Sequence, residues 1–337
     1  MIAGRSPARL KSSTVPLAHP ASAQRARGGL PGLCLAILEP DVMLVTAAIP
    51  CEDGHAQERS LTADLLAHVE AGDCLMADRN FCTTPILFGI AERHAVSVIR
   101  EHAHLPWSPV GARTAQGRIP TGQVFEQAIV VEGADGAKLP ARRITLVLDT
   151  PTRDGDSELH LITTIPAERA SAAAVAQAYA ARWRIETAFG HMASWLESEI
   201  ETLGYPRAAL LGFCVGVMAY NTLSVVQGAL RAVHGETVVQ EEVSGYHLVH
   251  QARADVGGLD TLLEDKDWEP FRRMPVAELA ELLVEIVRHI PLPTIKKAKR
   301  GPKNPVPKRT RFKNPSRLDR SSRPRHSTRR GRAHQPR

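Results

Sequence analysis

Two groups of residues in this 337-residue sequence have side chains of the kinds that bind divalent cations and phosphates. In the first group, Asp78 follows the apolar stretch 74–77, whose length and composition predict a buried strand. Active sites of α/β folds gather carboxylates at the carboxyl ends of such strands. An Asp that only caps the following turn would have the same position, so both interpretations stay open.

The second group lies on a predicted helix. Tyr179, Arg182 and Glu186 are spaced at i, i+3 and i+7, which places them on one helical face. A ring, a guanidinium and a carboxylate together can stack on a base, bind a phosphate and hold a metal ion. A simple ion pair between Arg182 and Glu186 explains the same spacing, so this pattern also has two interpretations.

The elements around these residues form an α/β pattern. Two apolar stretches on either side of a turn predict a hairpin over 33–49. Apolar residues at helical spacing predict helices over 60–70 and 85–94, and short apolar stretches predict strands at 74–77 and 96–100. Strands that alternate with helices indicate a sheet covered by helices.

Composition divides the chain into five parts. We predict a loose basic segment at 1–30, the first part of an α/β core at 31–100, a β-rich insertion at 101–166, a helical part of the core at 167–295 and a basic disordered tail at 296–337. The tail has 17 Lys and Arg and one acid, whereas residues 31–295 have a net charge of −15. Such a distribution suits a protein that holds cations in its centre and polyanions at its margins.

Two further features bear on the class of protein. The five Cys are widely spread with no CxxC pair, which excludes a zinc ribbon and argues against a disulfide scaffold. Residues 208–230 have no charge and are long enough to span a bilayer, but they include several polar side chains. We interpret them as a fully buried helix of a soluble protein and predict no membrane association and a cytoplasmic location.

The motifs resemble those of a known family. Tyr-x2-Arg-x3-Glu at 179–186 resembles the signature of the insertion-sequence-four family of bacterial transposases, and 185–189 and 221–223 resemble the C-terminal half of that family. Residues 77–81 resemble the stretch that holds its second catalytic Asp. The resemblance covers roughly residues 30–310, with the motifs in the family's order.

The resemblance implies a ribonuclease-H-like mixed sheet and a triad of two Asp and one Glu that binds two Mg²⁺ or Mn²⁺ ions. Asp78 would be the second acid and Glu186 the third, both catalytic and metal-binding, while Tyr179 and Arg182 would contact DNA. Two cations activate the nucleophile and stabilise the leaving oxygen in DNA cleavage and strand transfer. The implied partners are the inverted ends of a mobile element, target DNA and a second copy in a paired-end complex, in the bacterial cytoplasm with the nucleoid.

The sequence departs from the family pattern at two places. The signature continues with a Lys where this sequence has Ala193, which removes a phosphate contact. The first catalytic Asp belongs to the first strand, but residues 1–32 contain no Asp or Glu and no predicted strand. We therefore expect an N-terminally truncated sheet that lacks its first strand, with Asp41 and Asp53 as weak substitutes for the missing acid.

Basic residues of the tail are candidate DNA contacts, because disordered basic tails add affinity for phosphates. The candidates are Lys296, Lys297, Lys299, Arg300, Lys308, Arg309 and Arg311. Three hypotheses follow: a transposase that cleaves and joins DNA, a catalytically inactive relic that at most binds DNA, and, more distantly, a basic RNA-binding protein whose acidic body is only a scaffold. The missing first acid distinguishes the first two hypotheses, and the ordered acidic motifs argue against the third.

Overall fold

A computed structural model of the chain describes residues 10–11, 13–16, 33–51, 53, 56–152, 155–198 and 205–298. Its strands are β1 Leu10–Lys11, β2 Ser13–Pro16, β3 Leu33–Glu39, β4 Leu44–Cys51, β5 Cys74–Ala77, β6 Val96–Arg100, β7 Trp107–Pro109, β8 Thr114–Ile119, β9 Gly122–Glu132, β10 Lys138–Leu148 and β11 Glu158–Thr163. Its helices are α1 Thr62–Ala67, α2 Thr84–Glu92, α3 Ala172–Ala180, α4 Arg184–Trp195, α5 Pro206–His234, α6 Glu236–Glu242, α7 Gly245–Leu262, α8 Asp265–Arg272 and α9 Val276–Arg288.

The larger sheet has the strand order β1-β5-β6-β11-β10-β9-β7, and β8 also pairs with β9. Strands β1, β5 and β6 are parallel, and the pairs that follow are antiparallel. The smaller sheet, β2-β3-β4, is antiparallel and contains the predicted hairpin, which is thereby confirmed. The predicted strands 74–77 and 96–100 are confirmed as well.

Strands β1 and β2 correct the expectation that the first strand is missing. β1 pairs in parallel with β5, with Leu10 opposite Cys74, and β2 pairs with β3. These strands lie within residues 1–30, which we predicted to be loose. Their Ser, Thr and Pro content gives no apolar alternation, and their pairing partners are distant in sequence, so the local pattern could not show them. What these strands lack is an acidic residue.

The two faces of the larger sheet have different apolar clusters. Leu75 and Ile99 pack on one face with α1 and α2, whereas Met76 and Val98 pack on the other with α3. This difference follows from the alternation of side chains along a strand. Strands β7–β11, within residues 101–166, continue the sheet beyond β6. A mixed sheet with helices on both faces fits the ribonuclease-H-like fold that the resemblance implies.

Helix α5 differs from the fully buried helix expected for residues 208–230. Phe213, Tyr220 and Leu230 are buried, but Leu211 and Met218 on the opposite side are 67% and 70% exposed. Among the described residues, the stretch Arg207–His234 of this helix is long and apolar enough to cross a membrane. Exposed side chains of α5 and of α7 line an apolar groove between the two helices.

Candidate functional site

Asp78 lies directly after β5 and caps a short 3-10 helix, Arg79–Phe81. Its Oδ1 accepts a hydrogen bond of 2.8 Å from the backbone N–H of Asn80. The Asn80 Nδ2 donates in turn to Oε2 of Glu58 over 3.3 Å. The capping role is therefore real, but it uses one carboxylate oxygen and does not prevent the other from binding a ligand.

Tyr179 approaches Asp78 from α3. Its ring is 5% exposed and packs in the apolar cluster of that face, so it does not open to solvent as a DNA-stacking residue would. Burial raises the pKa of the Tyr179 hydroxyl to about 12; the Arg182 charge opposes this rise and the Asp78 charge adds to it. The two sequence motifs are thus close enough to interact electrostatically. The hydroxyl is buried and makes no hydrogen bond of good geometry with a described residue; its contact with the Arg182 side chain is at most a weak one.

Arg182 lies between Tyr179 and Glu186. The expected continuous helix is interrupted here, because residues Ala181–Trp183 form a 3-10 turn between α3 and α4. The guanidinium carbon is 5.7 Å from the Tyr179 ring centroid, and Nη1 is 3.5 Å from Glu186 Oε1. This ion pair is long, and Nε of Arg182 is buried without a partner in the described part of the chain.

Glu186 lies in the first turn of α4, where the helix dipole favours a carboxylate. Its side chain is 49% exposed, so it faces solvent at the edge of the cluster. Asp78, Tyr179, Arg182 and Glu186 form a series of neighbours at the carboxyl end of β5. We call these four residues the corner site. An anion that enters it would meet a guanidinium and a phenol between two carboxylates.

Two residues that the sequence analysis did not select lie at the corner site. Arg100 ends β6, and its charge lowers the pKa of the Tyr179 hydroxyl. Its position at the end of a predicted strand was a usable signal, the same one that selected Asp78. Trp183 is 58% exposed, and the guanidinium carbon of Arg182 is 4.9 Å from its ring centroid. An exposed aromatic ring beside a guanidinium can stack on a base.

Arg142 fixes the loop before α3. Its Nε and Nη2 bind the carboxylate of Glu126 at 2.7 and 3.0 Å. Its Nη1 donates to the carbonyl oxygens of Ile165 and Ala170 at 2.9 and 3.0 Å. Because Arg142 is 8% exposed, these bonds form a buried clamp between the sheet and the start of the helix that positions Tyr179.

Residues 12–222 match the family model for the transposase DDE domain, which is more than half of the chain. The chain belongs to the DDE transposase family. The matched region begins at residue 12, directly after β1, and includes the whole corner site, from Asp78 to Glu186. A comparison with curated proteins found no match. Membership implies DNA as a partner, and transposases of this family typically use a divalent metal ion.

The described residues do not fit a complete metal centre of a DDE transposase. No three His, Cys, Asp or Glu among them come together as a metal site. The two expected substitutes for the first acid lie elsewhere: Asp41 is 3.6 Å from Arg184 in the β3–β4 turn, and Asp53 is exposed in a loop. The described part of the chain therefore shows no third acid to join Asp78 and Glu186, the two acids that the resemblance assigns to the triad.

The first two predicted DNA-binding residues of the tail, Lys296 and Lys297, lie in the described part of the chain. Lys296 Nζ is 2.9 Å from Glu242 Oε2, and the ammonium of Lys297 donates to the carbonyl oxygen of Gln240. Both lysines contact the end of α6, and the Lys296 side chain is still 58% exposed, so DNA binding by these two lysines stays a prediction. Lys299, Arg300, Lys308, Arg309 and Arg311 lie outside the described residues.

Proposed function

We propose that this member of the DDE transposase family binds the DNA ends of a mobile element of the insertion-sequence-four type. The corner site is the surface that would meet a phosphate. The observation that supports this proposal most is that Asp78, at a strand end, interacts with Tyr179 of α3, and that Arg182 lies between Tyr179 and Glu186 of α4. These residues belong to two motifs that are distant in the sequence.

We further infer that the chain binds these ends without cleaving them. By resemblance, Asp78 and Glu186 would be metal ligands, and a divalent cation bound there would stabilise charge on the leaving oxygen. Strand β1, which pairs with β5, and strand β2 have no acidic residue, although the resemblance places the first catalytic Asp in the first strand. Each 1.36 kcal/mol of lost transition-state stabilisation lowers the rate about tenfold, so cleavage should fall by orders of magnitude.

The test uses purified chain, labelled inverted-end DNA and Mg²⁺ or Mn²⁺. Anisotropy measures binding, and denaturing gels measure nicking at the 3′ end. We expect binding that falls in an Arg182→Ala variant, with no nicking above the metal-only control. Absence of any DNA binding would refute the function. Robust nicking that Glu186→Ala abolishes would refute the claim of inactivity.

Strand cleavage and transfer by this chain is the second candidate function. The observation that favours it is Glu58, which hydrogen-bonds Asn80 beside Asp78 and so places another carboxylate near the corner site. If the chain does nick DNA, Glu58→Gln should abolish nicking as Glu186→Ala does, whereas Asp41→Asn should not. A paired-end homodimer, target-DNA binding and a location with the bacterial nucleoid follow from the family proposal alone.

A further inference from the structure

We propose that Arg100 is an additional DNA-binding residue of the corner site, and that Asp156 competes with a DNA phosphate for its guanidinium. This inference rests on the proposed function, because it takes a DNA phosphate as the ligand. It adds a residue outside both sequence motifs and a carboxylate that opposes binding.

The backbone places Arg100 beside Asp78. Strands β5 and β6 are parallel, and Ala77 pairs with Ile99, so the residues that follow lie at the same edge of the sheet. Met76 and Val98 both pack on the Tyr179 face. Because side chains alternate along a strand, Asp78 and Arg100 project toward that face too.

The surroundings of Arg100 suit a phosphate. The Tyr179 hydroxyl, which feels the charge of Arg100, and Nε of Arg182 are both buried and make no hydrogen bond of good geometry with a described residue, apart from a weak contact between the Tyr179 and Arg182 side chains themselves. Buried donors of this kind are normally satisfied by a ligand or an ordered water. The oxygens of one phosphate can accept from several donors, and arginine guanidinium is well matched to that geometry.

The present partner of Arg100 leaves it accessible. Nη2 of Arg100 is 2.7 Å from Oδ2 of Asp156, and the two side chains are 29% and 45% exposed. One such contact uses few of the five N–H donors of a guanidinium. Asp156 lies in the turn before β11, so its carboxylate both holds Arg100 and repels an approaching phosphate.

A second Arg–Asp pair provides a matched control. Arg118 and Asp149 form an exposed pair of 2.5 Å near the other end of the β10–β11 turn. Arg118 belongs to β8, which pairs with β9, and in the sheet β9 is separated from β6 by β10 and β11. A general effect of surface charge would be the same for both pairs, whereas a site effect would appear only for Arg100.

The experiment measures anisotropy of a labelled DNA duplex with the full chain over a salt series. Arg100→Ala should lower affinity about tenfold and reduce the slope of log affinity against log salt by about 1. Arg100→Lys should keep the slope but recover only part of the affinity, and Arg118→Ala should change neither. Asp156→Asn should raise affinity more in the unmodified chain than in the Arg100→Ala background, because only in the unmodified chain does it also free the Arg100 guanidinium.

The outcomes distinguish a failure of the Arg100 proposal from a failure of the proposed DNA-binding function. If the unmodified chain binds DNA and Arg100→Ala binds it equally well, or Arg118→Ala loses as much, Arg100 is not part of the site and the proposed function survives. An equal gain from Asp156→Asn in both backgrounds would refute the competition. If the unmodified chain binds no DNA, both proposals fall. Equal thermal midpoints exclude misfolding as the cause of a loss.

Discussion

The corner site and the C-terminal helices differ in the kind of group that lacks a packing or hydrogen-bonding partner. At the corner, polar atoms of Tyr179 and Arg182 are buried without hydrogen bonds from the described residues. In the helices α5–α9, large apolar side chains are exposed instead, with Leu262 81% and Val276 84% accessible. Helix α8 buries no residue, and α9 buries only Val287. The corner therefore leaves polar groups available to a ligand, whereas α8 and α9 bury few side chains and present apolar ones to solvent.

The largest stability effect should come from the clamp behind the corner site. Arg142→Met leaves the Glu126 carboxylate without its partner, and breaking a buried ion pair costs about 3–5 kcal/mol. Denaturant unfolding measures the loss. Arg118→Met, in an exposed pair, should lose about 0–1 kcal/mol. Similar small losses in both variants would show that the clamp does not stabilise the corner.

The helical region offers a contrast within one helix. Leu230 on the buried side of α5 is 0% exposed, so Leu230→Ala should lower the free energy of unfolding by about 2–5 kcal/mol. Leu211, 67% exposed on the other side, should change the free energy of unfolding of the isolated chain by about 0.5 kcal/mol or less when replaced by Ala. A large loss at Leu211 would mean that this face is covered in solution, and the comparison with the corner would need revision.

Removing residues 299–337 tests the basic tail without touching Lys296 or Lys297, which pair with α6. The deletion should weaken binding to any DNA at least about tenfold and flatten the salt dependence, because phosphate contacts release counterions. The preference for inverted-end sequence over unrelated DNA should not change. An unchanged salt slope would show that the tail does not touch phosphate.

The last expected effect is a pH dependence at α4, between the two regions. Burial and, secondarily, the Lys297 charge lower the pKa of His191 from 6.5 to about 4. The unfolded chain therefore takes up a proton at higher pH than the folded chain, so stability should fall as pH falls from about 6.5 to about 4. His191→Phe keeps the stack on Trp195 and should remove this part of the profile. The free energy of unfolding of both proteins is measured at several pH values in this range. An equal dependence on pH in the two proteins would contradict the assignment.

Local patterns predicted the strand ends and the helical motif but not their surroundings. Asp78 was recognisable because an apolar stretch precedes it, and Arg100 has the same signal. That the Tyr179 ring is buried was not predictable, because it depends on packing against distant strands. The spacing of Arg182 and Glu186 predicted their proximity but not the 3-10 turn between α3 and α4. The pairing of β1 and β2 was missed because it joins distant parts of the chain.

The parallel pair β1–β5 also sets an order in which the protein can assemble during synthesis. Leu10 leaves the ribosome long before Cys74, its partner, so the first strand must wait for the fifth. The hairpin β3–β4 pairs residues close in sequence and can form at once. Arg100 acquires its neighbour Leu161 only after the intervening strands are made. A nascent chain that stops before residue 186 thus has the strand ends but not the carboxylate of Glu186.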